Sequence, residues 1–359
     1  MPEIDLYEIG LSEYYIQERA AYPQELYLGR VSQQHRDLYK VLTEQGEMVA
    51  EVSGKLGYDT VDSGDYPAVG DWVLVDRQSD ERGRAIIHHI LPRRSCMERK
   101  AAGTACERQI IAANIDTVFI CMSLNNDFNL RRLERYLSIV WDSGAMPVVV
   151  LTKADLCADI AAKLAEIADV AFGVDIVVTS SVRGEGYEDI KKYLGRGKTV
   201  AFVGSSGVGK STMINWLVGK EVLATREVRN DDRGRHTTSY RQLLLVPGGG
   251  IVIDNPGMRE LQFAGADLSK SFADIEEISR RCRYSDCKHR HEPGCAVREA
   301  IEKGLLSRER FESYQKLQRE LEYAGLDFKQ REKAKIKRMF GSMGEMKKKL
   351  DYIKNKKHR

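Results

Sequence analysis

The sequence predicts a multidomain α/β protein with three parts: an N-terminal β-barrel, a mostly parallel sheet with helices on both faces, and a mainly helical C-terminal domain. Three observations predict it. Short strands broken by glycine turns fill residues 26–95, strands alternate with helices over residues 111–262, and three of the seven cysteines lie close together after residue 263. A chain of 359 residues is long enough for two or three domains.

The N-terminal part reads as an OB-type barrel. Strand-like segments at residues 28–31, 48–52 and 71–75 are short and separated by turns, a pattern typical of a small barrel or sandwich. The number of residues fits the five-stranded OB-fold. We expect residues 1–25 to form an N-terminal extension, helical or disordered, and residues 96–110 to form a polar, basic linker.

The middle part, residues 111–262, alternates between the two kinds of element. Strands are predicted at 117–121, 147–151, 175–178 and 199–203, and helices at 130–141, 158–168 and from Lys210 onward. Repeated β-α units indicate a parallel sheet covered on both faces. Residues 239–246 and 251–253 flank a glycine-rich turn, which predicts an antiparallel hairpin at the sheet edge.

A phosphate-binding loop follows the strand at 199–203 and opens a helix. The residues predicted to hold the nucleotide phosphates are Gly204, Ser205, Ser206, Gly207, Val208, Gly209, Lys210, Ser211 and Thr212. The glycines let backbone N–H groups approach phosphate oxygens, and the helix N-terminus adds a favourable dipole. Lys210 should reach the β- and γ-phosphates and Ser211 should bind Mg²⁺. This loop alone does not distinguish ATP from GTP.

A guanine-reading motif, Thr152-Lys153-Ala154-Asp155, ends the strand at 147–151. The carboxylate of Asp155 can accept two hydrogen bonds from guanine, whereas adenine offers no such pair of donors on that edge. Thr152 stands where most GTPases have Asn, and Lys153 would pack along the base. Ser180 and Ser181 end the next strand and resemble the loop whose backbone reads the guanine carbonyl. The motif predicts GTP rather than ATP.

Two segments downstream of the phosphate loop read as switches. Gly234–Thr238 contains Thr237 and Thr238, and the segment from Asp254 to Gly257 follows a strand. We expect Thr238 and Asp254 to bind Mg²⁺ with Ser211, and Gly257 to donate to the γ-phosphate; hydrolysis would then release both segments.

Met258 follows Gly257 where Ras-type enzymes have the Gln that orients the attacking water. His236 is the nearest candidate for that catalytic task; a structural switch role is the alternative.

The order of these motifs is base, phosphate, switch, whereas the base motif of a GTPase normally comes last. The middle part is therefore predicted to be a circularly permuted P-loop GTPase domain. In such a domain the second switch continues directly into the C-terminal part of the chain.

A metal site is predicted in the C-terminal domain, residues 263–330. Cys282, Cys287, His289 and Cys295 lie within fourteen residues and form a ligand set that tetrahedral Zn²⁺ takes. His291 is a competing ligand. Four protein ligands leave no open position, so the expected role of the zinc is structural, and the segment should need the metal to fold.

Composition adds limits on location and partners. The net charge is only +3, but residues 331–359 form a strongly basic C-terminal tail, which suggests an anionic partner or a solvated terminus. No signal-peptide pattern or membrane-spanning apolar run is evident, and the cysteine pattern suits a reducing compartment. We expect a cytoplasmic protein with no membrane partner, and a monomer.

Together these motifs resemble the ribosome small-subunit-dependent GTPase A family (RsgA/YjeQ) over nearly the whole chain. The most specific features are the permuted order, the Gly234–Thr238 segment and the Cys-Cys-His-Cys spacing. The basic tail would suit a divergent paralogue.

The resemblance implies a GTP hydrolase that binds the small ribosomal subunit and its rRNA in the GTP state. It would act in late small-subunit maturation and leave after hydrolysis, which the subunit stimulates, with GTP/GDP, Mg²⁺ and one structural Zn²⁺ as its ligands. Two other classes stay open from the residues alone. One is a nucleotide-regulated RNA-binding protein acting outside small-subunit assembly, and the other is a P-loop ATPase or kinase, against which Asp155 argues.

Overall fold

A computed structural model describes residues 3–35, 37–60, 63–79, 83–100, 108–223, 241–254, 268 and 271–324. The N-terminal segment is packed rather than free: Leu6, Ile9 and Tyr15 are buried, and helix α1 (Glu13–Arg19) carries Tyr15 against Trp72 of the barrel. The extension at 1–25 is therefore, in its described part, an integral layer of the structure.

Five strands close the predicted barrel. They are β1 (Tyr27–His35), β2 (Leu38–Thr43), β3 (Gly46–Val52), β4 (Trp72–Val75) and β5 (Ala85–Ile90), with helix α2 (Gly54–Asp59) between β3 and β4. The strands pair in the order β1-β2-β3-β5-β4, and β4 pairs back to β1; the pair β3–β5 is parallel. This closed arrangement confirms the OB-type barrel. Its interior holds apolar side chains such as Val31, Val41 and Ile87.

Strands also occupy part of the predicted linker at 96–110. Strand β6 (Cys96–Lys100) pairs with β7 (Arg108–Ala113) in an antiparallel ribbon. Met97 and Ile111 are fully buried, so the ribbon gains the apolar burial that a free linker lacks.

The predicted parallel sheet is present. Its elements are β8 (Thr117–Ser123), α3 (Leu130–Asp142), β9 (Met146–Thr152), α4 (Ile160–Ala168), β10 (Asp175–Val178), α5 (Tyr187–Lys191), β11 (Thr199–Val203), α6 (Lys210–Val218), β12 (Arg241–Leu245) and β13 (Ile251–Asp254). The strand order is β10-β9-β8-β11-β13-β12, parallel except for β12. Apolar clusters lie on both faces of the sheet, as expected for a doubly covered parallel sheet.

The hairpin β12–β13 confirms one prediction and corrects another. It is antiparallel as expected, but β12 is not an edge strand, because it pairs with β1 of the barrel through Gln33↔Gln242 and Gln34↔Arg241. In the part of the chain that the structure describes, the barrel and the parallel sheet therefore share one hydrogen-bonded sheet of eleven strands. This pairing satisfies backbone groups that a free edge would expose.

The C-terminal domain contains helices α7 (Ala273–Ser279), α8 (Ala296–Glu302) and α9 (Arg308–Ala324). Phe272, Phe311 and Tyr314 form an aromatic cluster between them. The predicted basic tail, residues 331–359, lies outside the described residues. In the part of the chain that the structure describes, no helix is both long enough and apolar enough to cross a membrane.

Candidate functional site

The phosphate-binding loop leaves β11 with three glycines in the left-handed region. Gly204, Gly207 and Gly209 have φ values of 140°, 73° and 105°. A Cβ on Gly204 would lie 2.3 Å from the carbonyl oxygen of Cys121, so a side chain there would displace the loop from the end of β8. Helix α6 begins directly after Gly209. Backbone N–H groups and the helix N-terminus thus converge in an anion-binding turn.

Lys210 is folded over this loop. Its ammonium donates to the carbonyl oxygens of Gly204 and Ser205, each at 2.6 Å, which holds the charge at the surface where phosphates would lie. Ser211 and Thr212 follow in the first turn of α6, Ser211 half-buried and Thr212 exposed. Their predicted contacts with nucleotide and Mg²⁺ stay predictions.

The base motif is tied directly to the phosphate loop. The hydroxyl of Thr152, itself buried, donates to the carbonyl oxygen of Val208 at 2.6 Å. Lys153 then adopts a left-handed conformation with φ 58°, which turns the chain into Asp155. The spacing between base and phosphate groups is consequently set by a hydrogen bond between the two motifs.

Asp155 and Ser180, both predicted to lie at the base site, are in direct contact. The Ser180 hydroxyl donates to a carboxylate oxygen of Asp155 at 2.6 Å, and this bond lowers the pKa of Asp155. Ser180 also accepts from the backbone N–H of Arg183 at 3.2 Å. Ser181 is exposed and hydrogen-bonds Tyr187. An ionised carboxylate held in this way is the acceptor that guanine N–H groups require.

Asp127 is a site residue that the sequence analysis missed. Its carboxylate accepts a short hydrogen bond from the hydroxyl of Ser205 in the phosphate loop. Arg132 holds the same carboxylate at 2.9 Å and the Asp127 carbonyl oxygen at 2.6 Å. A usable signal was present: Asn125-Asn126-Asp127 follows the buried strand β8, and ligand loops of parallel sheets lie at the carboxyl ends of strands.

Of the predicted switch residues, the structure describes Asp254 but not those of the first switch. Asp254 ends β13, whose Ile253 pairs with Ala201 of β11. Asp254 is therefore level with Phe202 of β11, two residues before Gly204 begins the phosphate loop. His236, Thr237, Thr238 and Gly257 lie outside the described residues, as does Met258.

The C-terminal domain brings the four predicted metal ligands together. The ligand atoms of Cys282, Cys287, His289 and Cys295 all lie within 4.8 Å of one another. Nδ1 of His289 is 3.6 Å from Sγ of Cys282 and 3.4 Å from Sγ of Cys295. Zn–S bonds of about 2.3 Å and Zn–N bonds of about 2.0 Å in a tetrahedron give similar separations, so the residues fit such an ion.

The surroundings of the cluster support one histidine over the other. Nε2 of His289 lies 3.3 Å from Oγ of Ser279, an outer contact of the kind that orients metal-bound imidazoles. Phe311 packs edge-on against the same ring at 5.8 Å. His291 is exposed and is not one of the four clustered residues. His289 is therefore the ligand that the geometry selects.

Comparisons with known proteins agree with this geometry. The sequence model of the RsgA GTPase family matches residues 90–264, and that of the ABC transporter family matches residues 187–351, which include the phosphate loop common to both classes.

A relative from Lactiplantibacillus plantarum named small ribosomal subunit biogenesis GTPase RsgA 2 is 54% identical, covering 92% of this chain and 93% of its own length. A small ribosomal subunit biogenesis GTPase RsgA from Methanosarcina acetivorans is 44% identical over 88% of this chain and 86% of its own.

Two solved structures share the fold. YjeQ from Thermotoga maritima superposes with a TM-score of 0.60 at 27% identity, covering 82% of this chain and 98% of its own. YloQ, described as a circularly permuted GTPase, gives 0.58 at 25% identity, covering 83% and 96%.

Proposed function

Since this chain belongs to the RsgA GTPase family, we propose that it binds the small ribosomal subunit in its GTP state, acts in late small-subunit maturation, and is released by GTP hydrolysis. The observation that carries the proposal is the 54% identity over 92% of the chain to a relative named for small-subunit biogenesis. The enzyme class is a GTP hydrolase, and the hydrogen bond between the base motif and the phosphate loop supports the assignment of a nucleotide site there.

Each motif has a defined task in the proposed reaction. Asp155, ionised and fixed by Ser180, would accept the guanine N–H groups, and Thr152 would keep this loop at a fixed distance from the phosphate loop. Lys210 and the loop N–H groups would stabilise the charge that develops on the phosphates. Mg²⁺ would be held by Ser211, Thr238 and Asp254 and would neutralise the same charge. His236 is our candidate for positioning the attacking water.

The partner would be recognised through its RNA. OB barrels bind nucleic acid through their strand faces and loops, and basic segments such as residues 331–359 add contacts to phosphates. We assign a structural Zn²⁺ to Cys282, Cys287, His289 and Cys295; when bound, it supplies only a rigid cross-link between α7 and the start of α8. We propose that the protein works in the cytoplasm as a monomer.

The test is GTP hydrolysis by the purified protein with and without isolated small ribosomal subunits. We expect slow turnover that rises at least ~10-fold with small subunits, which corresponds to about 1.4 kcal/mol of barrier. Large subunits and ATP serve as the two controls and should give no comparable rise.

An unchanged rate with folded, zinc-loaded protein that still binds RNA would contradict the proposal. That result would favour a nucleotide-regulated RNA-binding protein acting elsewhere.

A further inference from the structure

A cavity of about 440 Å³ lies where the N-terminal segment, the barrel and the base of the nucleotide domain meet. It is at the opposite end of the parallel sheet from the phosphate loop, because its lining includes Asp116 and Thr199, at the amino ends of β8 and β11. The volume is that of a small-molecule site.

A buried cation forms one wall. Arg30 is 1% exposed, and its guanidinium donates to the carbonyl oxygens of Ile9, Gly70 and Asn114 at 2.5, 3.1 and 3.1 Å. A guanidinium has five N–H donors, so these three bonds leave two unused. No carboxylate of the described residues forms an ion pair with it. Burial lowers the pKa of Arg30 to about 10, which reflects the cost of an uncompensated buried charge.

The nearest carboxylates are already engaged. Asp71 is held by Arg93 at 2.7 Å. Asp116 accepts from the backbone N–H of Thr199 at 2.8 Å and pairs with Lys198 at 3.8 Å. The charge of Arg30 therefore has no dedicated counterion among the described residues.

The same walls carry unused hydrogen-bond donors. Among the described residues, four buried side-chain polar atoms have no partner, and three of them belong to cavity-lining residues: Oγ of Ser12, the hydroxyl of Tyr15 and Nε1 of Trp72. The indole N–H can only donate, and both hydroxyls can donate. Buried donors without partners are costly, so these three atoms favour a ligand that can accept hydrogen bonds from them.

The rim of the cavity adds positive charge. Arg94, Arg196 and Lys198 line it. Arg196 pairs with Asp5 and Glu8 and Lys198 pairs with Asp116, whereas the exposed side chain of Arg94 has no ion pair in the described part of the chain. An acceptor-rich anion would match both the donors inside and the charge at the rim.

We propose that this cavity is a second ligand site, separate from the GTP site, that binds a phosphate monoester group. A phosphate dianion offers several acceptor oxygens, and its negative charge would pair with the positive charges of Arg30 and Arg94. The group can come from a free small molecule of nucleotide size or from the 5′ end of an RNA.

The test uses the full-length protein with Mg²⁺ and stoichiometric GDP in the GTP site. The chain has three tryptophans, so its proton–nitrogen correlation spectrum contains three indole N–H signals. The signal that disappears in Trp72→Phe belongs to Trp72 and reports on the cavity. We would titrate inorganic phosphate, AMP, and a short RNA with either a 5′-phosphate or a 5′-hydroxyl. We expect the Trp72 signal to shift saturably with phosphate.

Arg94→Ala should weaken that binding about tenfold, the loss of one charge-assisted hydrogen bond. Arg84→Ala, another exposed arginine away from the cavity, should leave it unchanged. A shift with AMP identifies a free small molecule, and a shift with the 5′-phosphorylated RNA but not with AMP or the 5′-hydroxyl RNA identifies an RNA end. No shift with any phosphate at about 10 mM, or a shift that Arg94→Ala leaves intact, would overturn the proposal.

Discussion

Glu134 on α3 and Arg310 on α9 form a buried ion pair between the nucleotide domain and the C-terminal domain, with Oε1 and Nη1 3.0 Å apart. Glu134 is 1% exposed, and its other oxygen accepts from the hydroxyl of Ser313 at 2.5 Å. Arg310 also pairs bidentately with Asp274 of α7. This network fixes the position of the C-terminal domain on the face of the nucleotide domain.

Removing Glu134 should loosen that contact. Glu134→Ala removes the buried carboxylate that Arg310 and Ser313 contact, and we expect the free energy of unfolding to fall by about 3 kcal/mol, the lower end for breaking a buried pair because Asp274 and the Ser271 carbonyl oxygen still accept from Arg310. Denaturant unfolding followed by fluorescence would measure it.

The matched control is Glu320→Ala. It breaks a partly exposed pair with Arg135, 2.9 Å long, between the same two helices, and should cost no more than about 1 kcal/mol. Equal losses for the two variants would contradict the importance we give to burial.

If Asp155 recognises the guanine base, replacing it should change which nucleotide the protein prefers. Asp155→Asn replaces an acceptor with a donor facing the guanine N1–H, so GTP binding should weaken by about 10- to 100-fold, the loss of charge-assisted hydrogen bonds. Xanthosine triphosphate, which presents an acceptor at the altered position, should bind better than before.

Competition between the two nucleotides for the purified variant measures this preference. Asp159→Asn is the control, because Asp159 caps α4 nearby without belonging to the base motif. If Asp155→Asn keeps the original preference for GTP, Asp155 does not read the base.

How far the sequence predicted this structure depended on how local each feature is. The glycine pattern of the phosphate loop and the spacing of the four metal ligands each lie within a short stretch of sequence, so both could be recognised without knowing which distant segments they contact. The alternation of strands and helices likewise predicted a parallel sheet, because the spacing of apolar residues within each segment indicates whether it is a helix or a buried strand.

Features that join distant segments could not be predicted. Glu134 reads as one more surface charge of an amphipathic helix, but it is buried, and Arg310, 176 residues later, pairs with it alongside its neighbour Arg131. The pairing of β12 with β1 joins Gln34 to Arg241, and no local pattern indicates that partner. Asp127 contacts Ser205 across 78 residues for the same reason.

Asp127 should matter to nucleotide binding through Ser205. Asp127→Ala removes the acceptor of the Ser205 hydroxyl and the partner of Arg132, so the loop becomes less ordered before GTP binds. We expect the Kd for GTP to rise about three- to tenfold, equivalent to roughly 1 kcal/mol for one lost hydrogen bond and its ordering. Fluorescent-nucleotide titration measures it.

Asp127→Asn can still accept from Ser205 and should restore most of the affinity. Asn126→Ala, at the neighbouring position in the same loop, is the control for general loop damage. An equal loss of affinity in Asp127→Asn and Asp127→Ala would show that the charge, rather than the hydrogen bond, sets the effect.

Metal removal should unfold the C-terminal domain while sparing the nucleotide domain. The segment around Cys282 and Cys287 is mostly exposed, so ligation rather than apolar burial has to hold it. We expect one zinc per chain by elemental analysis, and loss of that zinc together with helical signal on chelation or in Cys287→Ser. GDP binding should persist, because none of the four ligands touches the phosphate loop.

Cys157→Ser is the matched control, since Cys157 is similarly half-buried but lies outside the cluster; it should keep both the metal and the helical signal. Full metal content in Cys287→Ser would mean that another group, such as His291, completes the coordination, and the assignment of the fourth ligand would then be wrong.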